Sequence, residues 1–201
     1  MRRRAALVVP YDSAWPELFA AEAAALEPLL APWLEGGIHH VGSTAVPGLA
    51  AKPIIDMIAG VRALEDARAA FEPLRALGYR YHEHRPEAHA FFKPEFAAEW
   101  WEQTHHLHLT EPRSDLWQER IAFRDALRAD PTLVAEYEQW KVSHAAAHAQ
   151  PNAYTSGKRA FVARVLDEQG IALRPDSARL TAAALAARRK LEGAASTAPS
   201  E

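Results

Sequence analysis

At 201 residues, with 49% hydrophobic and 24% charged side chains, the chain has the length and composition of one soluble globular domain, which excludes a disordered or collagen-like polypeptide. Its formal net charge of -3 excludes a broad nucleic-acid-binding surface while leaving room for a local cationic pocket. The lack of cysteine removes disulfides, thiolate zinc sites and a cysteine nucleophile, so any metal must be held by His, Asp or Glu.

The charged start Met1-Arg2-Arg3-Arg4 is followed by an apolar run that Pro10 and Tyr11-Asp12 break before a signal-peptide core can form. The expectation is a cytoplasmic protein with no membrane segment. Ser13 is placed to cap a helix through WPELFAAEAAALEPLLAPWL, where Trp15, Leu18, Phe19, Leu26, Leu29 and Leu30 recur at helical spacing and Pro16 is tolerated in the first turn. Gly36-Gly37 are expected to end it, IHHVG to run as a strand into the Gly42-Ser43 turn, and KPIIDMIAGV to form a strand apolar on both faces, hence central in its sheet. The spacing predicts a helix over residues 63–77 closed by Gly78, a hairpin from YRYHEHR and AFFKP, and a further strand at THHLHLT. From Asp115 the pattern is helical: DLWQERIAFRDALRA, then PTLVAEYEQWKVSHAAAH, then TSGKRAFVARVLDEQ closed by Gly170. Interleaved strands and helices predict an α/β (α+β) class with a mixed sheet flanked by helices and a C-terminal helical section. Residues 1–170 are read as one domain, and 171–201 as an Ala/Arg-rich tail, helical or disordered.

Asp56 is the odd residue on its apolar strand, because a buried carboxylate is costly unless a cation or strong donors meet it. Strand alternation puts His106 and His108 on one face, and two histidines so spaced can join a carboxylate from a neighbouring strand in a three-ligand metal site. Two hydrogen-bonded, half-buried histidines are the alternative. His82 and His84 also share a face but stand among polar residues, as on a solvated hairpin. Arg120, Arg124 and Arg128 are spaced by four and lie within the arc of Trp117, Ile121 and Leu127, so the row calls for something anionic facing it: acidic side chains or a bound phosphate chain. Lys158 and Arg159 are read into the first turn of the last helix, where the dipole disfavours a cation unless an anion joins it, and Tyr154 nearby could stack on a base or simply pack.

VVPYDSAWPELF, HHVGSTAVPGLAAKPIID, THHLHL, IAFRDALR and YTSGK together resemble the GrpB family, from about Val8 to about Leu166. The resemblance implies a nucleotidyltransferase-like fold, in which a Gly-Ser turn precedes a strand whose paired acids bind magnesium and a nucleoside triphosphate. Related domains fused to bacterial dephospho-CoA kinases imply a connection with nucleotide or coenzyme chemistry. In this chain one acid of the pair is absent: with Asp56 at the second acidic position Ile54 stands at the first, and with Asp56 at the first Ile58 stands at the second. His106 or His108 stands where a third acid is expected, and histidine suits zinc, manganese or proton transfer better than magnesium.

The expected function is therefore transfer of a nucleotidyl or phosphoryl group from a nucleotide or other phosphorylated small molecule, with a divalent metal (magnesium, or zinc or manganese if the histidines ligate). Asp56, His106 and His108 are the candidate catalytic and metal-binding residues; Gly42, Ser43, Lys52, Arg124, Lys141, Tyr154 and Lys158 are the candidate nucleotide- and phosphate-binding residues. The alternatives are a non-catalytic nucleotide-sensing or partner-binding module and a His/Asp metal-dependent hydrolase.

Overall fold

The structure is a computed structural model that describes residues 8–85, 87–96, 102–147 and 151–171. The arginine-rich start and the tail from residue 172 lie outside the described residues. The chain packs as two compact units, Met1–Ala129 and Asp130–Glu201.

The first unit is a five-stranded mixed sheet. Its strands are β1 (Leu34–Val41), β2 (Ile55–Val61), β3 (Arg80–Arg85), β4 (Ala88–Lys93) and β5 (His105–Thr110), in the order β1-β2-β5-β4-β3. β2 and β5 are parallel and the other neighbours antiparallel. Strand alternation sends successive side chains to opposite faces. One face carries Met57, Ala59, Val61, Leu107, Leu109 and Phe91 against Trp15, Leu26 and Leu30 of α1 (Trp15–Leu30) and Leu74 of α2 (Phe71–Ala76). The other carries Val41, Ile58 and Ala88 against Leu116, Trp117 and Ile121 of α3 (Asp115–Ala129). β2 is buried along nearly its whole length, as its two-sided apolar sequence requires; only Asp56 breaks the run.

Several boundaries differ from those the sequence predicts. Ser13 makes no cap; the Asp12 carboxylate accepts the Ala14 N–H at 2.9 Å instead. α1 stops at Leu30: Ala31 still has helical backbone, but Pro32 after it has no N–H to extend the ladder, and Leu34 already belongs to β1. Gly36-Gly37 therefore interrupt a strand with a register shift rather than end a helix. A side chain at Gly36 would meet Pro112 Cγ at 2.8 Å and the Trp117 ring at 2.9 Å, so glycine lets α3 pack close to the strand. The helix expected over 63–77 is a 3-10 segment, Asp66–Ala70, that passes into α2. Gly78 at φ +89° ends α2 in the left-handed conformation that favours glycine.

The second unit holds α4 (Pro131–Ala147) and α5 (Pro151–Glu168). Tyr137 and Phe161 face one another at 5.0 Å between ring centres, and Leu133, Val162, Val165 and Leu166 are buried around them. α5 begins at Pro151, whose ring suits a first helical position, rather than at the predicted Thr155. Lys158 consequently lies two turns inside the helix, and the dipole argument for an anion beside it no longer applies.

Candidate functional site

Asp56 finds its partner on the neighbouring strand. It stands in register with His106 on the parallel strand β5, and His106 Nδ1 lies 2.9 Å from Asp56 Oδ1. A carboxylate only accepts, so Nδ1 carries a proton, which leaves Nε2 as the nitrogen that can give up or take a second one. Nε2 lies 2.8 Å from Gln103 Oε1, itself an acceptor, so a neutral ring is bonded here only with the Gln103 amide turned over to present its NH2, and the Phe92 ring on β4 stands edge-to-face against the imidazole at 4.6 Å. The histidine is thus held from three sides in one orientation. His108 follows on the same face but is level with Ile58, so the register gives it no carboxylate opposite.

The Gly42-Ser43 turn lies against this pair. Gly42 has φ 74° and ψ -172°, a conformation essentially restricted to glycine. A Cβ there would strike the Asp56 carboxylate, with Asp56 Cβ at 2.9 Å and Cγ at 3.0 Å. Gly42 therefore lets the turn close onto Asp56, and half-buried Ser43 opens the 3-10 segment Ser43–Ala45 directly after it. Gly48 also has positive φ, at +78°.

Beneath the turn runs a buried polar relay. Thr44 Oγ1 donates to the Ile54 carbonyl at 2.9 Å and so accepts from His40 Nε2–H at 3.0 Å. Burial, reinforced by the positive charge of Arg128, pushes the His40 pKa down to about 4. The ring is neutral at neutral pH, with its proton on Nε2 for the bond to Thr44.

Two arginines of the α3 row, Arg124 and Arg128, are met by the same segment. Arg124 donates from Nη1 to the His40 carbonyl at 3.0 Å and pairs through Nε and Nη2 with Asp125 at 2.7 and 3.1 Å. Arg128 donates from Nε to the Ala45 carbonyl at 2.8 Å. Backbone carbonyls and one acid meet the two guanidinium groups, which clamp both sides of the Gly-Ser turn. Arg124 is turned over protein, its side chain 10% exposed.

Of the remaining candidates, Lys52 is half-buried just ahead of β2. Lys141 and Lys158 belong to the second unit, where buried Lys141 places Nζ 5.0 Å from the Tyr137 ring centre. Burial first, then the charge of Lys158, lowers the Lys141 pKa to about 8. Tyr154 is on α5, and its side chain lies outside the described residues. Sequence reasoning did not single out Gln103, Thr44 and His40; the last two lie inside the HHVGSTAVPG stretch, but the hydrogen bonds they make are not written in it.

The donor set does not fit a two-magnesium centre. Such a centre needs converging carboxylates, whereas Ile54 and Ile58 flank Asp56 at the alternate positions and Oδ1 is engaged by His106. Among the described residues no group of three or more His, Asp or Glu side chains is arranged to hold a metal ion. Among them, too, no helix is long and apolar enough to cross a membrane.

Known proteins resemble this chain over most of its length. The family model described as GrpB protein matches residues 5–168. A UPF0157 protein of Pseudomonas aeruginosa is 42% identical over 168 residues, which cover 79% of this chain and 65% of the relative. The glutamate-rich protein GrpB of Alkalihalophilus pseudofirmus is 37% identical over 170 residues, covering 81% and 94%. The UPF0157 protein YqkA of Bacillus subtilis is 34% identical, and there the match spans only 46% of the relative. The crystal structure of the conserved protein GrpB from Enterococcus faecalis superposes with a TM-score of 0.71 at 31% identity, over 81% of this chain and 96% of that one. The chain belongs to the GrpB protein family.

Proposed function

We propose that this protein binds a nucleotide or another phosphorylated small molecule at the Gly42-Ser43 turn and transfers its nucleotidyl or phosphoryl group to a hydroxyl acceptor. The observation that carries the reading is the Asp56–His106 hydrogen bond of 2.9 Å, set directly against a glycine turn that no other residue could form. A histidine held by a carboxylate through Nδ1 presents Nε2 as a general base. In the proposed step the acceptor displaces the Gln103 amide and gives its proton to Nε2. Its oxygen then bonds to phosphorus, and the bond from phosphorus to the leaving phosphate oxygen breaks. The N–H groups of the turn and the Ser43 hydroxyl hold the phosphate oxygens.

A second reading is favoured by the isoleucines on either side of Asp56: a nucleotide-sensing module in which the pair only recognises ligand. Turnover of labelled nucleoside triphosphates, measured with and without magnesium or zinc, separates the two. Under the transfer reading, His106→Gln lowers turnover by about 10²- to 10⁴-fold, the range for a lost general base, while triphosphate binding persists. Binding without turnover in the parent protein leaves the sensing module; absence of binding overturns both.

A further inference from the structure

The transfer reading does not use a second cavity of the sheet unit, an open pocket of about 380 Å³ along the free edge of β1. It lies between the start of α1 and the C-terminal half of α3, and Tyr11, Phe19, His40, Pro47, Arg124 and Arg128 line it. His40 alternates with Val41, the register partner of Asp56, so its ring points to the sheet face opposite the Asp56–His106 pair.

One wall is built of flat rings. Phe19 stacks on His40 at 4.9 Å between ring centres with the planes 10° apart, and Tyr11 and Pro47 complete that side. The cations are unequal. Arg124 is satisfied by Asp125 and the His40 carbonyl, whereas Arg128 uses only Nε, on the Ala45 carbonyl. Among the described residues no hydrogen bond or ion pair takes the two terminal nitrogens of Arg128. That leaves the forked edge of a guanidinium, the geometry that grips an oxyanion, beside an aromatic wall. β1 is an edge strand, and the His40 carbonyl turns outward to Arg124, so the Ile38 and His40 N–H groups also face outward, as added donors. His40, neutral at neutral pH, adds no further cation there.

The geometry points to a binding site for a small planar anion, its aromatic ring against Phe19, Tyr11 and Pro47 and its carboxylate or phosphate on the terminal nitrogens of Arg128. This site goes beyond the transfer reading and stands or falls without it.

Amide chemical-shift titration of the full chain with phenyl phosphate, benzoate, inorganic phosphate and benzyl alcohol tests the assignment. Phenyl phosphate and benzoate shift the Ile38, His40 and Ala45 amides, while the ring-free and charge-free probes bind about tenfold more weakly. Arg128→Gln weakens phenyl phosphate about tenfold, and Arg128→Lys, which keeps the charge but not the fork, weakens it less. Asp56→Asn leaves both aromatic anions bound as before, which separates this pocket from the Gly-Ser turn. The proposal is overturned if neither aromatic anion binds, if the shifts centre on Gly42 and Ser43 and vanish in Asp56→Asn, or if a folded Arg128→Gln variant binds phenyl phosphate like the parent. Should Arg128→Gln fail to fold, Phe19→Leu decides: it must weaken phenyl phosphate while leaving inorganic phosphate unchanged.

Discussion

Asp56 is tolerated on a strand that is otherwise buried because every neighbour answers a different part of its chemistry. His106 supplies a donor, and Gly42 supplies room where any side chain would press on the carboxylate. The two glycines of positive φ near this turn make a controlled comparison. Gly48 has no atom within 4 Å of an added Cβ, so Gly48→Ala meets only backbone strain; Gly42→Ala meets the strain of a glycine-only conformation and the Asp56 side chain as well. Urea denaturation is expected to show a loss of about 1–3 kcal/mol for Gly42→Ala and a smaller loss for Gly48→Ala, with the His106 ring resonances displaced only in the first. Equal losses and undisturbed His106 resonances would dissociate the turn from the carboxylate. For the pair itself, a double-mutant cycle of Asp56→Asn and His106→Gln is expected to give a coupling of about 1 kcal/mol or more, since the side chains are only 30% and 22% exposed. Additive effects would mean that Asp56 does not orient the ring.

At the scale of elements, α3 works as a clamp. Its one face packs Leu116, Trp117 and Ile121 on the sheet, and the arginines of its C-terminal half reach the carbonyls of His40 and Ala45 on either side of the Gly-Ser turn. Arg128→Ala should therefore raise amide hydrogen exchange in Thr44, Ala45 and Val46 before it affects β4 or β5; a uniform rise across the sheet would make Arg128 a general stabiliser instead. This clamp also marks where the sequence stops being legible. The two-sided apolar strand, the hairpin and the glycine stop after α2 could all be read, because each depends on local periodicity or turn chemistry. The arginine row could be read as needing an acceptor, but its acceptors are backbone carbonyls 84 and 83 positions away in the chain, and a carbonyl leaves no mark in a sequence. Lys158 was misplaced for a local reason: TSGK reads as a helix start, yet Pro151 is the better first-turn residue and begins α5 earlier.

At the scale of the whole molecule, the two units carry buried bases that titrate in separate pH windows. In the sheet unit, His40 falls from 6.5 unfolded to about 4 folded, so between these values the unfolded chain binds more protons. Stability from this group is complete above pH 6.5 and is lost as pH falls toward 4, a change on the order of 2 kcal/mol once partial solvent screening is allowed for. Burial lowers the pKa values of His89 and His105 too, and both act in the same direction. In the helical unit, Lys141 falls from 10.5 to about 8, so stability rises with pH across that interval by on the order of 3 kcal/mol. Below pH 8 the buried ammonium near Lys158 opposes folding, and Lys141→Met, which keeps the apolar stem and removes the charge, should stabilise the protein at neutral pH. Peptide-resolved hydrogen exchange can assign each window to its unit. His40→Gln should flatten the acid dependence of protection in β1 and β2, and Lys141→Met should raise protection in α4 and α5 at pH 7 while leaving β1 and β2 unchanged. If either substitution instead changes protection equally throughout the described elements, the two packing units open as one cooperative body, and the titration of Lys141 bears on the stability of the Asp56–His106 site as directly as that of His40.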